Sequence, residues 1–136
     1  MAEVMKIRVN SGITVEVNDN GDTITVNADD QCFLEKYYSL IDTLESASQY
    51  GDSEEYAALD NRGKANAVVE QMKKIMEDID TLFGENACKK IFGDIVPNPF
   101  LIADFLSQMQ PIIAEYSKQR QSKISQKYSR QRKGSK

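Results

Sequence analysis

Three acidic side chains on one predicted helix have a type and spacing that could bind a metal ion. Glu70, Glu77 and Asp80 could contribute oxygens to a cation site, but a carboxylate metal site needs acids that face inward from more than one helix. Lys73 lies four residues before Glu77, and such i, i+4 pairs are typical of a solvated helix face. We therefore predict no metal site in this stretch.

The stretch LFGENACKKIFGDIVPNPF, residues 82–100, contains two Phe-Gly pairs and raises the possibility of a phosphate-binding loop. Such a loop needs closely spaced glycines, a Lys-Ser or Lys-Thr pair and a preceding strand. Gly84 and Gly93 lie nine residues apart, and Asp94 follows the second. Each glycine instead follows an apolar helical pattern, where a left-handed C-cap is expected. We predict that both glycines end helices.

The sequence contains few side chains that could act in nucleophilic or acid–base catalysis. The 136 residues contain no histidine, which is the commonest general base near neutral pH. No G-x-S-x-G elbow activates a serine. Cys32 and Cys88 form neither a CxxC pair nor a zinc pattern, and we expect reduced thiols of which at least one is buried. The sequence therefore predicts a protein that is not an enzyme and binds no cofactor or metal.

Charge divides the chain into two parts. All 21 acids lie at or before Glu115 with nine of the bases, so residues 1–116 carry a net charge of −12. Residues 117–136 hold eight bases and no acid. We predict a single domain over 1–116 and a basic tail over 117–136 that is a solvated helical extension or disordered until bound. Such a tail meets an anionic partner or an acidic surface, including that of a sister subunit.

Nothing in the sequence indicates a membrane protein or an export signal. The first ten residues lack the apolar core of a signal peptide. No apolar run approaches the ~18 residues of a membrane span. We therefore expect a cytoplasmic protein.

The first part of the chain has the alternation of β-strands. Asn18–Asp22 carries the Asn, Asp and Gly residues that favour a turn, and an Asp-x-Asp calcium loop is not complete there. The pattern predicts an antiparallel hairpin or a three-strand meander within residues 5–27. Apolar residues alternate with polar ones at Met5, Ile7 and Val9, at Ile13, Val15 and Val17, and at Ile24 and Val26.

Helical periodicity follows, and predicts about four helices in an α+β domain. Asp29 or Asp30 can cap the first, Ser46–Ser53 is predicted to be a loop, and Ser53 can cap the second. Gly63 is expected to interrupt or weaken this second helix, which carries Tyr56 and Leu59. A long apolar stripe then runs from Ala65 to Phe83, and a short helix covers Asn86–Phe92.

The last helix is predicted from Asn98 and Pro99, because a capping side chain followed by proline marks a helix start. Its apolar face runs from Phe100 to Ile113. Pro111 is expected to kink this helix or to split it near Gln110.

The order of these features resembles a known family. The segments IDTLFGENACKKIFGDIVPNPFLIADFL (79–106) and YSKQRQSKISQKYSRQRK (116–133) are similar to the tail assembly chaperones of long-tailed phages and prophages of Gram-positive bacteria. The likeness covers most of residues 13–133. It implies a protein without an active site that keeps the tape measure protein soluble until tail tube subunits polymerise around it. It also implies a longer frameshifted form in many members.

A groove for an amphipathic helix, lined by flexible and aromatic side chains, would suit that activity. The same apolar residues can equally form the core of the domain. The tail offers bases and one aromatic ring for a homo-oligomeric neighbour or another partner. The candidate partner-binding residues are Met72, Met76, Phe83, Phe92, Phe100, Phe105, Met109, Arg120, Lys127, Tyr128 and Arg130.

Two other functions remain open. A small nucleic-acid-binding accessory protein would use the basic tail to neutralise phosphates and Tyr128 to stack on a base, although the acidic body would repel a duplex. A structural protein such as a head–tail joining component is the third possibility. Gene neighbourhood separates them: the chaperone hypothesis expects a tube protein gene upstream and a very long coiled-coil gene downstream.

Overall fold

A computed structural model describes residues 3–9 and 11–134, with side chains described as far as Gln126. The α+β prediction is confirmed, since a two-stranded sheet precedes five helices in the described part of the chain. The elements are β1 (Ile13–Glu16), β2 (Thr23–Val26), α1 (Gln31–Gly51), α2 (Glu54–Ala57), α3 (Asn61–Phe83), α4 (Ala87–Phe92) and α5 (Pro99–Gly134).

The hairpin forms at the predicted turn. Strands β1 and β2 pair antiparallel with Ile13 opposite Val26. The Asn18 side-chain oxygen accepts hydrogen bonds from the amides of Asn20 at 2.9 Å and Asp22 at 3.2 Å, which is the local bonding that makes asparagine a turn former. Ile24 and Val26 on β2 are buried. The hairpin therefore lays one apolar face on the helices.

The three-strand meander is wrong for the described residues. Met5, Ile7 and Val9 were expected in a strand, but residues 3–9 have no regular secondary structure. These three side chains and Val4 are 84–90 % exposed. Alternation makes a segment suitable for a sheet, but the strand forms only when a neighbouring strand and a covering surface are present. Within the described chain, neither contacts residues 3–9.

Helix α1 begins as predicted and ends later than predicted. Asp30 is its N-cap and accepts a hydrogen bond from the Cys32 amide at 2.9 Å. The loop expected over Ser46–Ser53 is wrong, because the helix continues to Gly51. The half-buried side chain of Tyr50 extends the inner face of the helix and contacts the Tyr56 ring edge to face at 5.7 Å. Tertiary packing thus overrides the small polar residues of this stretch.

Helices α2 and α3 begin at capping side chains. Ser53 caps α2, as predicted, and accepts from the Tyr56 amide at 3.2 Å. Asp60 caps α3 and accepts from the Gly63 amide at 2.7 Å. Helix α2 ends at Ala57, so the effect expected of Gly63 on the second helix is wrong, and Gly63 lies instead in the first turn of α3.

Both glycines of the 82–100 stretch end helices, as predicted. Gly84 follows the last residue of α3 with φ +115°, and Gly93 follows the last residue of α4 with φ +80°. Side chains rarely adopt such positive φ values, so glycine favours these joints. The Asp80 carboxylate accepts a hydrogen bond from the Cys88 amide at 2.8 Å and fixes α4 against α3.

Helix α5 starts at the predicted cap, where the Asn98 side chain accepts from the Leu101 amide at 3.0 Å. Of the two effects expected at Pro111, the split near Gln110 is wrong, because the helix runs from Pro99 to Gly134 through Pro111 without a break. The kink stays a prediction. Buried Met109 and Ile113 flank the proline, and their packing compensates for the missing amide. The helix includes residues 117–134 of the basic tail. In the described part of the chain, no helix is long and apolar enough to span a membrane.

The core lies where α1, α3 and α5 meet under the hairpin. Phe83 contacts the rings of Phe33 at 5.6 Å and Phe105 at 5.4 Å, both edge to face. The Tyr37 hydroxyl, from α1, lies 3.2 Å from the Leu106 carbonyl oxygen and 3.3 Å from Gln110 Oε1 on α5. These contacts hold α5 in place and so position the exposed residues at its start.

Candidate partner-binding site

The predicted partner-binding residues of the body divide between core and surface. Met72, Phe83, Phe105 and Met109 are buried, whereas Met76 and Phe92 are half-buried and pack against the same core. Phe100 is different, because its side chain is 83 % exposed. Of the aromatic residues proposed from the sequence with described side chains, Phe100 is therefore the one most available to a partner.

Three further apolar residues close to Phe100 in sequence are also exposed, on either side of the start of α5. Ile95 is 51 % exposed, and Val96 and Leu101 are each 41 % exposed. We call these three residues and Phe100 the Phe100 patch. Gly93 ends α4, and the Asn98 side chain caps the start of α5. Between them Pro97 is buried and holds the connecting loop in place. The backbone that carries the patch is therefore well fixed. Clustered apolar side chains on a surface are typical of an interaction site.

A groove lies beside the Phe100 patch and between β1 and α5. Its volume is about 340 Å³, and Leu101 belongs to both surfaces. Glu16 and Asp104 add negative charge to an otherwise mostly apolar lining. We call this feature the β1–α5 groove. It is lined by Val15, Glu16, Val17, Ile91, Phe92, Leu101, Asp104, Phe105, Gln108, Met109 and Ile112.

A polar cluster fixes the first turns of the basic tail to the body. The Tyr116 hydroxyl donates to Asp29 Oδ2 at 2.5 Å, and Arg120 donates to the Tyr116 oxygen from Nη2 at 2.7 Å. Arg120 Nη2 also lies 3.5 Å from Asp29 Oδ2. The hydrogen bond from Tyr116 is the main cause that lowers the pKa of Asp29, with smaller contributions from the Gly12 amide and Arg120. The cluster is therefore built around an ionised Asp29.

Three of the predicted partner-binding residues of the tail lie beyond Gln126 on α5. The backbone is helical through Lys127, Tyr128 and Arg130, but their side chains lie outside the described residues. Arg120 is the predicted tail residue with a described side chain, and it contacts the body of its own chain. Its neighbours Lys118 and Lys123 are exposed.

The acids considered first serve structural roles or stay on the surface. Asp80 accepts from the Cys88 amide, and Glu70 and Glu77 are exposed. Among the described residues, no group of three His, Cys, Asp or Glu side chains is arranged to hold a metal ion. The candidate site of the described chain is the Phe100 patch with the neighbouring β1–α5 groove.

The two cysteines should differ strongly in reactivity. Cys88 is buried, its thiol donates to the Met76 carbonyl at 3.4 Å, and burial followed by the charge of Asp80 raises its pKa to about 12. Cys32 is exposed at the start of α1. Because the thiolate is the reactive form, we expect a thiol reagent near neutral pH to modify Cys32 rapidly and Cys88 only after unfolding.

Mass spectrometry of the modified protein checks this prediction. Wild-type protein should take up one label quickly and a second in denaturant, and Cys32→Ser should lose the fast reaction alone. Equal rates for the two cysteines in the native protein would contradict the burial of Cys88.

A family model described as "Family of unknown function (DUF6673)" matches residues 20–136. No curated protein and no solved structure matches the chain.

Proposed function

The chain belongs to the DUF6673 family of unknown function, and we propose that it is a non-enzymatic tail assembly chaperone that keeps the tape measure protein of a long-tailed phage soluble. The observation that carries the proposal is the Phe100 patch. Four apolar side chains, led by Phe100, lie exposed on a fixed helix start. The resemblance of residues 79–106 and 116–133 to the phage family supplies the identity of the partner.

The patch has the physical properties of an anchor for an apolar helix face. Burying apolar surface stabilises a complex by roughly 25 cal/mol for each Å² removed from water. Aromatic side chains at the centre of an interface commonly contribute most of the binding energy. The support from Pro97 and the Asn98 cap means that little order has to be gained on binding. The segment of the tape measure protein that binds here, which we call the client helix, is therefore an amphipathic helix that places its apolar face on Phe100.

Charge around the patch defines this helix further. Asp94 is exposed beside the patch and lies 3.8 Å from Lys89, which is also exposed. Asp104 is exposed one turn into α5. Like charges placed opposite each other disfavour a complex, so the preferred client helix carries lysine or arginine beside its apolar face.

The basic tail supplies a second contact in this proposal. From Ser117 to Gln126 its side chains are exposed except for the partly covered Arg120, and all eight of its charges are positive. An acidic surface on a tail tube subunit or on another copy of the chain is the complementary partner. The work of such a chaperone takes place in the cytoplasm of the bacterial host.

Co-expression with the tape measure protein tests the proposal. We expect the wild-type chain to raise the soluble yield of that protein and to co-purify with it. Phe100→Ser should abolish both effects without altering the fold, because the Phe100 side chain is exposed. Ile124→Ser is the matched control, since Ile124 is also exposed but lies about 36 Å further along α5 at 1.5 Å per residue.

The experiment has a clear contrary result. An unchanged soluble yield with wild-type protein, or equal loss of function in Phe100→Ser and Ile124→Ser, would reject the Phe100 patch as the binding site. The nucleic-acid alternative requires different behaviour. It predicts salt-sensitive binding to random DNA that disappears when residues 117–136 are removed and is indifferent to Phe100→Ser.

A further inference from the structure

Residues 3–9, here called the N-terminal arm, have no regular secondary structure, and no other described residue covers their apolar side chains. Val4, Met5, Ile7 and Val9 are 84–90 % exposed. Met5, Ile7 and Val9 alternate with Lys6 and Arg8, so an extended arm has one apolar and one mainly basic face. A segment of this pattern is suited to the edge of a sheet whose inner face is apolar.

Strand β1 offers such an edge. The sheet consists of β1 and β2 alone in the described part of the chain, so β1 has a hydrogen-bonded neighbour on one side only. Val15 and Val17 are half-buried, whereas Glu16 between them is exposed. All three residues border the β1–α5 groove, but successive side chains of a strand point to opposite faces, so Glu16 lies on the other face of β1 from the two valines. A strand added beside β1 would place its apolar face over the groove and its other face beside Glu16.

The charges of the two segments are complementary. With Met5, Ile7 and Val9 over the groove, Lys6 and Arg8 lie on the face that carries Glu16. Opposite charges across neighbouring strands favour pairing. The arm therefore matches this edge in both hydrophobicity and charge.

The arm does not fold back onto its own β1, and the reason lies at Gly12. A three-residue hairpin loop after Val9 would end in a left-handed glycine, and Gly12 has the required φ of +83°. In such a loop the Gly12 amide would donate to the Val9 carbonyl. Here it donates to Asp29 Oδ2 at 3.2 Å instead. Tyr116 and Arg120 contact that same carboxylate oxygen and hold it in place. The Gly12 amide is therefore already bonded to Asp29 and does not form the bond that would close the turn.

From this geometry we infer that the N-terminal arm of one copy adds as a third strand to β1 of a second copy and covers its β1–α5 groove. The inference can be tested separately from the proposed function, because the groove shares Leu101 with the Phe100 patch but does not include Phe100. It also extends that function: copies joined through their arms carry several Phe100 patches, which suits a long partner.

Light scattering after size exclusion tests the inference across a broad range of concentration. We expect full-length protein to have at least twice the mass of one chain and a variant lacking residues 2–9 to be monomeric. The arm is exposed, so its loss leaves the fold intact, which circular dichroism checks.

Charge reversal gives a sharper second test. Lys6→Glu with Arg8→Glu should raise the dissociation constant roughly tenfold or more, and Glu16→Lys in the same chain should restore part of the affinity. Lys73→Glu with Lys74→Glu is the control, because it changes the net charge equally at exposed positions of α3, away from the arm and the tail.

Two results overturn the inference. Full-length protein that stays monomeric at every concentration shows that the arm does not join copies. Oligomers that persist without residues 2–9 show that another surface does. Neither result bears on the co-expression experiment with Phe100→Ser, so this inference and the proposed function can fail separately.

Discussion

Replacing Phe83 by alanine should lower the free energy of unfolding by about 3–5 kcal/mol, the range typical of buried phenylalanines. Phe83 is buried at the end of α3 and contacts Phe33 on α1 and Phe105 on α5 edge to face. Its removal leaves a cavity where three helices meet, and it also removes both aromatic contacts. Chemical denaturation followed by circular dichroism measures the change.

The matched control is Phe100→Ala, which removes the same atoms from an exposed side chain. Surface substitutions usually change stability by no more than about 0.5 kcal/mol. The pair of variants therefore separates two roles that the sequence left open for its phenylalanines, core packing and partner binding. Equal losses of stability in the two variants would contradict the assignment of Phe83 to the core and Phe100 to the surface.

Replacing Tyr37 by alanine should cost a comparable amount, about 3–5 kcal/mol. Its ring is buried in α1, and its hydroxyl can donate to the Leu106 carbonyl or to Gln110 on α5. Tyr37→Phe keeps the ring and should cost about 1 kcal/mol, the net value of one hydrogen bond. Tyr38→Ala is the control, because the neighbouring side chain is 52 % exposed. A loss in Tyr38→Ala equal to that in Tyr37→Ala would count against the buried position of Tyr37.

The same tyrosine makes stability depend on alkaline pH. Burial is the main cause that raises the pKa of Tyr37 to about 12 from its ordinary value of 10.0. The folded state therefore favours the protonated phenol, and this contribution is fully present below pH 10.0 and is lost as pH rises through about 12. Because Cys88 titrates in an overlapping range, wild type and Tyr37→Phe should be compared at each pH, and wild type should lose more stability.

Local rules predicted the parts of the fold that depend on local bonding. Gly84 and Gly93 end helices because their φ values are positive, and Asp30, Ser53 and Asn98 accept from the amides of the next turn. Each of these features is fixed by a few neighbouring residues.

The predictions that were wrong concern segments whose structure depends on contacts with other parts of the fold. Residues 3–9 have the alternation of a strand, yet no neighbouring strand of the described chain reaches them. Ser46–Gly51 is helical although its residues are those of a loop, because Tyr50 packs on Tyr56. Pro111 does not break α5, since the helix is held by buried side chains on both sides of it.

The candidate site could be predicted only in part. Periodicity identified Phe100 among several apolar residues of one helix, but it cannot tell which of them another helix covers. Phe105 and Met109 are covered and Phe100 is not, which only the packing of the whole domain determines. Ile95 and Val96 were missed because they lie in a short connection without periodicity. Their adjacency to Phe100 in sequence was the one available signal.

The most direct test of the account is a photo-crosslinking experiment at position 100. A benzophenone amino acid replaces Phe100, and the variant is co-expressed with the tape measure protein and irradiated. The account predicts a crosslink between the two proteins that is absent when the probe stands at Ile124. Crosslinks to that partner at position 124 with none at position 100 would contradict it.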